Sequence, residues 1–252
     1  MKASAIRPFL KGVFSLRLLG CAAVIVVFHL LMDVGNWGGS ETCVWNKMCL
    51  ATMGGTGYLF WLILPAIPYA ISLAEDWKSH AVPYWAVRTG IDRYVSFKLI
   101  ASAVSGFLTI FIGYWLYALI DGLFHPWYLY SPMDSFKFYA ENGQVWLTFM
   151  TYIIYRSFSG ALVAVLGFTV STFIPNPYIA AASPLAIFMV ISRLVNGMDQ
   201  NTLRNPTVWF VGIHLSSNDA AVVIEKAVLT VILCIVLEMA AVLAMRRRFQ
   251  HA

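Results

Sequence analysis

Charge is what this chain has least of. Only 12% of its 252 residues are charged, against about a quarter in an ordinary soluble domain, and 17 Lys and Arg outnumber 12 Asp and Glu. So little charge excludes a water-soluble protein of this size. The sequence also lacks a G-x-x-x-x-G-K-[ST] phosphate loop, an H-E-x-x-H pair, a Cys-His cluster and a G-x-S-x-G elbow, and it shows no carboxylate dyad. These absences leave a catalytic reading nothing to stand on and require any nucleotide to be held elsewhere. There is no internal repeat and no low-complexity linker. Cysteine is scarce too, with four residues. Cys21 and Cys234 lie in apolar runs and read as small packing residues. Cys43 and Cys49 share one loop, and the sequence leaves two readings for them, a disulfide or two thiols.

What is present is apolar: 60% hydrophobic residues, 15% aromatic, and a mean hydropathy of +0.73. At about 20 residues per span, this length accommodates six crossings with little left for a soluble module. The expected architecture is a single all-α integral membrane domain over residues 1–252, with spans at about 18–34, 58–74, 95–120, 145–174, 178–195 and 220–245. Pro65 and Pro68 are expected to kink the second span. Ile6, Phe9, Leu10, Val13 and Phe14 recur at helical spacing and predict an N-terminal helix lying in the membrane interface. Leu18-Leu19-Gly20-Cys21 imitates a lipoprotein cleavage box, but the long apolar run follows it instead of preceding it, so the first span is read as retained.

The basic residues set the orientation. Lys2, Arg7, Lys11 and Arg17 precede the first span, Lys78, Arg88, Arg93 and Lys98 cluster after the second, and Arg246, Arg247 and Arg248 follow the last. Lys47, Lys137 and Arg204 fall in the opposite loops. By the positive-inside rule both termini are cytoplasmic and the number of spans is even. The same placement accounts for the net charge of +5 without nucleic acid.

Several features invite a site. Phe124, Trp127, Tyr128 and Tyr130 form an aromatic cluster suited to the outer interface, and the apolar stretch 208–215 has the length of a re-entrant or interfacial helix. Two stripes of small residues, Ala101, Ser105, Thr109 and Gly113, then Gly160, Ala164, Gly167 and Ser171, fit close helix packing within the chain or between copies. Arg156 falls near the bilayer centre and needs a partner or a water-filled cavity, with Asp33, Asp121, Glu225 and His29 as candidates. It is read as half of a structural ion pair, as lining a translocation pathway, or as a charge whose span boundary lies elsewhere. Glu225 and Glu238 lie nearer the ends of the sixth span, where snorkelling or pairing suffices. His29 and Asp33 are one helical turn apart, too few ligands for a metal site, so none is expected.

The most distinctive stretch is the polar insert at 75–94, closed by Lys98. It mixes Trp77, Val82, Tyr84, Trp85 and Val87 with Lys78, Arg88 and Arg93, as suits a short surface helix. From the residues alone it is either a docking surface or a loop held at the lipid headgroups. The order of apolar span, Glu75-Asp76, Lys78, Arg88-Thr89, Tyr94 and Lys98, then apolar span, resembles the permease subunit of type-2 ABC exporters. The resemblance extends to the interfacial N-terminal helix, the six spans and the outer segment before the sixth.

It implies that the insert is a coupling helix seated in separate ATPase subunits, with Glu75, Asp76, Trp77, Lys78, Tyr84 and Arg88 as the contact candidates. It further implies ATP and Mg bound in those partner subunits and no cofactor in this chain. A second permease subunit, identical or homologous, is implied as well. The chain departs from the family at Ser79-His80, where members often carry glycine, and Pro83 interrupts the helix drawn there. The expected function is export across a bacterial plasma membrane of an antimicrobial peptide, a drug or another amphipathic substrate. The competing classes are a membrane enzyme acting on lipid or peptide, and a non-transporting scaffold.

Overall fold

The structure, a computed structural model, describes residues 14–33, 43–53, 58–129, 136–195, 197–198, 204–211 and 219–250. The regular elements among them are all helical: α1 (Leu16–Asp33), α2 (Val44–Met53), α3 (Tyr58–Trp61), a 3-10 turn (Leu64–Ala66), α4 (Ser72–Lys78), α5 (Ala81–Thr89), α6 (Ile91–Asp121), α7 (Lys137–Glu141), α8 (Val145–Phe173), α9 (Pro177–Leu194), α10 (Thr207–Phe210) and α11 (Asp219–Gln250). Four of them, α6, α8, α9 and α11, are long and apolar enough to cross a membrane, and α1 is a shorter apolar helix. The interfacial helix expected from Ile6 to Phe14 lies outside the described residues except for its last member.

Helix α8 is the hub. It packs most extensively on α6, then on α11 and α9, while α1 leans on α6. Within its span 78% is buried, against 17% for α9 and α11, which therefore keep broad apolar faces turned outward. Glycine sets the α6–α8 spacing. A Cβ on Gly106 would stand 2.5 Å from the Gly160 carbonyl oxygen, and one on Gly160 would stand 2.5 Å from Ile110. Both small-residue stripes are consumed inside the chain in this way: Gly113 faces Ile25 of α1, and Gly167 faces the Ala180 carbonyl of α9.

Two expectations need correction. The second span is not one kinked helix. It is α3, a run of tight turns and α4, because Pro65 and Pro68 remove two donors within four residues and crowd the carbonyls one turn back. Backbone bonding survives there in 3-10 form, as from Ala66 N–H to the Ile63 carbonyl at 3.1 Å and from Ile67 N–H to that of Leu64 at 3.3 Å. The loop expected to be irregular over 35–57 contains α2. Its Val44, Trp45 and Met48 are fully buried, and its first N–H groups are taken by the Pro126 and Trp127 carbonyls at 3.0 and 3.2 Å.

Contacts between helix ends sort the bundle into two poles. Arg17, the insert, Asp92 and Arg246 meet at one pole, through the pairs Arg17–Glu75 and Arg246–Asp92. Lys47, Asp121 and His125 gather at the other, where Asp219 also accepts from the Tyr139 backbone N–H at 3.2 Å.

Candidate functional site

The insert folds as two helices, α4 and α5, with a turn at His80 between them, and its residues divide by role. Glu75 accepts twice from Arg17, at 2.8 and 3.0 Å, joining α4 to the start of α1. Asp76 holds the Lys98 ammonium at 2.6 Å and accepts from the Tyr94 hydroxyl at 2.7 Å, joining α4 to α6. Lys98 also donates to Ser72 Oγ at 3.2 Å and lies over the Tyr69 and Tyr94 rings. Trp77 packs on Phe249 and beneath the Arg248 guanidinium, 5.0 Å from the ring centre, at the end of α11. Arg248 in turn donates to the Thr172 carbonyl of α8. These three insert residues are tied inward.

Lys78, Tyr84 and Arg88 face outward instead. The chain turns from α4 into α5 at His80, which adopts the left-handed conformation at φ 57°. That is the backbone need that favours glycine at such a corner. Pro83 does not interrupt the helix as expected. It occupies the first turn of α5, where a proline leaves no bond unmade. Val82 and Ala86, four apart, bury one stripe of α5, and Tyr84 (62% exposed), Trp85 (42%) and Val87 (88%) stand on the rest with Arg88. The expected six-residue contact set therefore splits into three anchors and three exposed groups. Trp85 and Val87, which were not in it, complete the exposed face, and their helical phase relative to Val82 and Ala86 is the signal that finds them.

A second centre lies midway along α8. Arg156 comes eleven residues into α8, about 16 Å along the helix axis, and is buried. Its Nε donates to Tyr152 Oη at 3.2 Å, its Nη1 donates to the Val211 carbonyl, and the guanidinium sits over the Tyr152 ring. Two of the expected partners are engaged elsewhere. Asp121 pairs with Lys47 at 3.2 Å and with His125 at 2.9 Å, and His29 Nδ1–H donates to the Ile25 carbonyl at 2.9 Å. Glu225 lies on an exposed stretch of α11, and the Asp33 side chain lies outside the described residues.

Lys226, which sequence reasoning missed, is fully buried on α11 and donates to the Val208 and Trp209 carbonyls at 2.8 and 2.6 Å. Arg156 and Lys226 thus clamp the carboxyl end of α10, whose other end is capped by Asn205 Oδ1 accepting from the Thr207 N–H at 3.0 Å. The last carbonyls of so short a helix have no partner within it and need such donors when Val208 and Phe210 are buried. Between α8 and α10 remains a cavity of about 20 Å³, walled by Trp61, Tyr114, Arg156, Ser159, Phe210 and Val211 among others.

Cys43 and Cys49 form no disulfide. Cys43 precedes α2 and Cys49 follows six residues on, a rise of about 9 Å along the axis and a turn to another face, beyond the reach of one S–S bond. Among the described residues no group of three or more His, Cys, Asp and Glu is placed to hold a metal ion. No family model matches the chain, and neither a curated protein nor a solved structure matches it.

Proposed function

We propose that this chain is the membrane-embedded permease subunit of an ATP-driven exporter of the type-2 ABC class. On this reading it crosses a bacterial plasma membrane six times, with both termini and the insert in the cytoplasm. ATPase subunits carrying ATP and Mg grip α5, and a second permease subunit, identical or homologous, completes the path for an amphipathic cargo such as an antimicrobial peptide or drug. The observation that carries the reading is the build of the insert. One short helix offers Tyr84, Trp85, Val87 and Arg88 on a single exposed face, while Glu75, Asp76 and Trp77 fasten its neighbour to α1, α6 and α11. Force applied to that face reaches three bundle helices through direct contacts. Both small-residue stripes are used within the chain, so the outward apolar faces of α9 and α11 are the surfaces left for the second permease.

The test has two arms. A cysteine placed at Val87 in cells should react with a membrane-impermeant maleimide only after lysis, and labelling of intact cells sinks the orientation. Co-expression with an ABC-type ATPase subunit from the same genome should yield a complex with ATP hydrolysis, which W85A and R88A together weaken at least tenfold. Equal recovery of the complex from the variant rejects the insert as the coupling surface.

A further inference from the structure

The cavity beside Arg156 is lined by donors. Trp61 Nε1–H and Ser159 Oγ are both buried, and neither has a hydrogen-bond partner among the described residues. An indole N–H and a guanidinium can only donate, so the wall asks for an occupant that accepts. The Val211 carbonyl on this wall is already taken by Arg156, and the Tyr114 and Ser159 hydroxyls can donate as well as accept. A buried donor without an acceptor costs about 1–3 kcal/mol, and two of them facing one space are a standing demand for a ligand. The charge points the same way. Arg156, whose guanidinium keeps its positive charge when buried, lines the same wall. A field of that sign inside the bundle favours a negative occupant. Size favours a small anion, since a cavity of about 20 Å³ is little more than one water requires.

We propose that this cavity binds one small monovalent anion of the halide class, with Trp61 and Ser159 donating to it and Arg156 supplying its counter-charge. The anion completes the polar wall between α8 and α10 and so fixes α10 against the hub helix. The inference stands apart from ATPase coupling, which concerns the insert.

The test uses the full chain in detergent micelles, with thermal unfolding followed while sodium chloride or sodium bromide replaces sodium gluconate at constant ionic strength and pH. Chloride and bromide should raise Tm to a plateau at concentrations where gluconate does nothing. S159A and W61F should each raise the half-saturating halide concentration about tenfold, the loss of one hydrogen bond to a charged group. A Tm indifferent to the anion, as expected for a cavity holding only water, overturns the proposal, as does an unchanged halide response in both variants. Should either variant fail to fold, bromide-soaked crystals of the unaltered protein decide: an anomalous peak among Trp61, Arg156 and Ser159 supports the site, and its absence there rejects it.

Discussion

Lys226 of α11 and Arg156 of α8 reach the same four-residue helix from two sides, Lys226 bonding the Val208 and Trp209 carbonyls and Arg156 the Val211 carbonyl. A helix of that length cannot hold itself, because nearly all its carbonyls lack an internal partner. The two side chains do that work in place of solvent, and through them α10 belongs to α8 and α11 together.

Replacing Lys226 with Met keeps its volume and removes its donors, leaving two buried carbonyls unmade. Stability in micelles should fall by about 1–3 kcal/mol. R156M should cost a similar amount, and the double variant should cost clearly less than the sum, because either single change already releases α10. Strict additivity in thermal or denaturant unfolding contradicts the shared clamp.

The α6–α8 crossing makes a second prediction from glycine alone. Gly160 has no room for a methyl group beside Ile110 and the Gly106 carbonyl, so G160A should destabilise by about 1–3 kcal/mol. Gly20, on α1, has nothing within 4 Å of where its Cβ would stand, and G20A should be neutral or stabilising by about 0.5–1 kcal/mol. Unfolding of both variants under one condition checks the pair, and a G160A protein as stable as the parent removes the close crossing.

The thiols can be counted. Non-reducing denaturation followed by alkylation and mass spectrometry should modify Cys21, Cys43, Cys49 and Cys234 alike. Before denaturation Cys43 should stay protected, since it is fully enclosed with the Asn46 N–H directed at its sulfur at 3.5 Å. A mass two hydrogens short across Cys43 and Cys49 restores the disulfide.

The long spans were legible because apolar run length is a strong signal: the spans expected at 95–120, 145–174 and 178–195 agree with α6, α8 and α9 to within a few residues. The broken second span was legible only as its two prolines, since hydropathy does not distinguish a helix from a buried chain of turns. Helix α2 stayed hidden because Asn46 and Lys47 make it look like loop, and only the tertiary pairing of Lys47 with Asp121 lets that lysine go inside. Arg156 stood out as a lone charge in an apolar run. Lys226 did not, being beside Glu225 near the start of a span, yet it shares a buried face with Val222 and Thr230 at four-residue spacing. In the insert, sequence identified the segment but not its division, because Asp76, eighteen residues before Tyr94 and twenty-two before Lys98, meets them only once the chain has turned at His80.

That division supplies the last prediction. Asp76 is an anchor whose loss leaves the nearly buried Lys98 ammonium without its carboxylate, so D76A should destabilise the fold by about 1–3 kcal/mol. Tyr84, Trp85 and Arg88 touch solvent, and Y84A, W85A and R88A should each leave stability within about 0.5 kcal/mol of the parent. The two classes then separate on a second axis. A surface built for an ATPase should lose binding in the exposed variants at full stability, whereas D76A should lose stability first and binding only as the insert comes loose from α6. Micelle unfolding and ATPase binding on the same four preparations give both coordinates. If the exposed variants bind normally and D76A alone is impaired, the insert is a structural brace and its outer face has no partner of this kind.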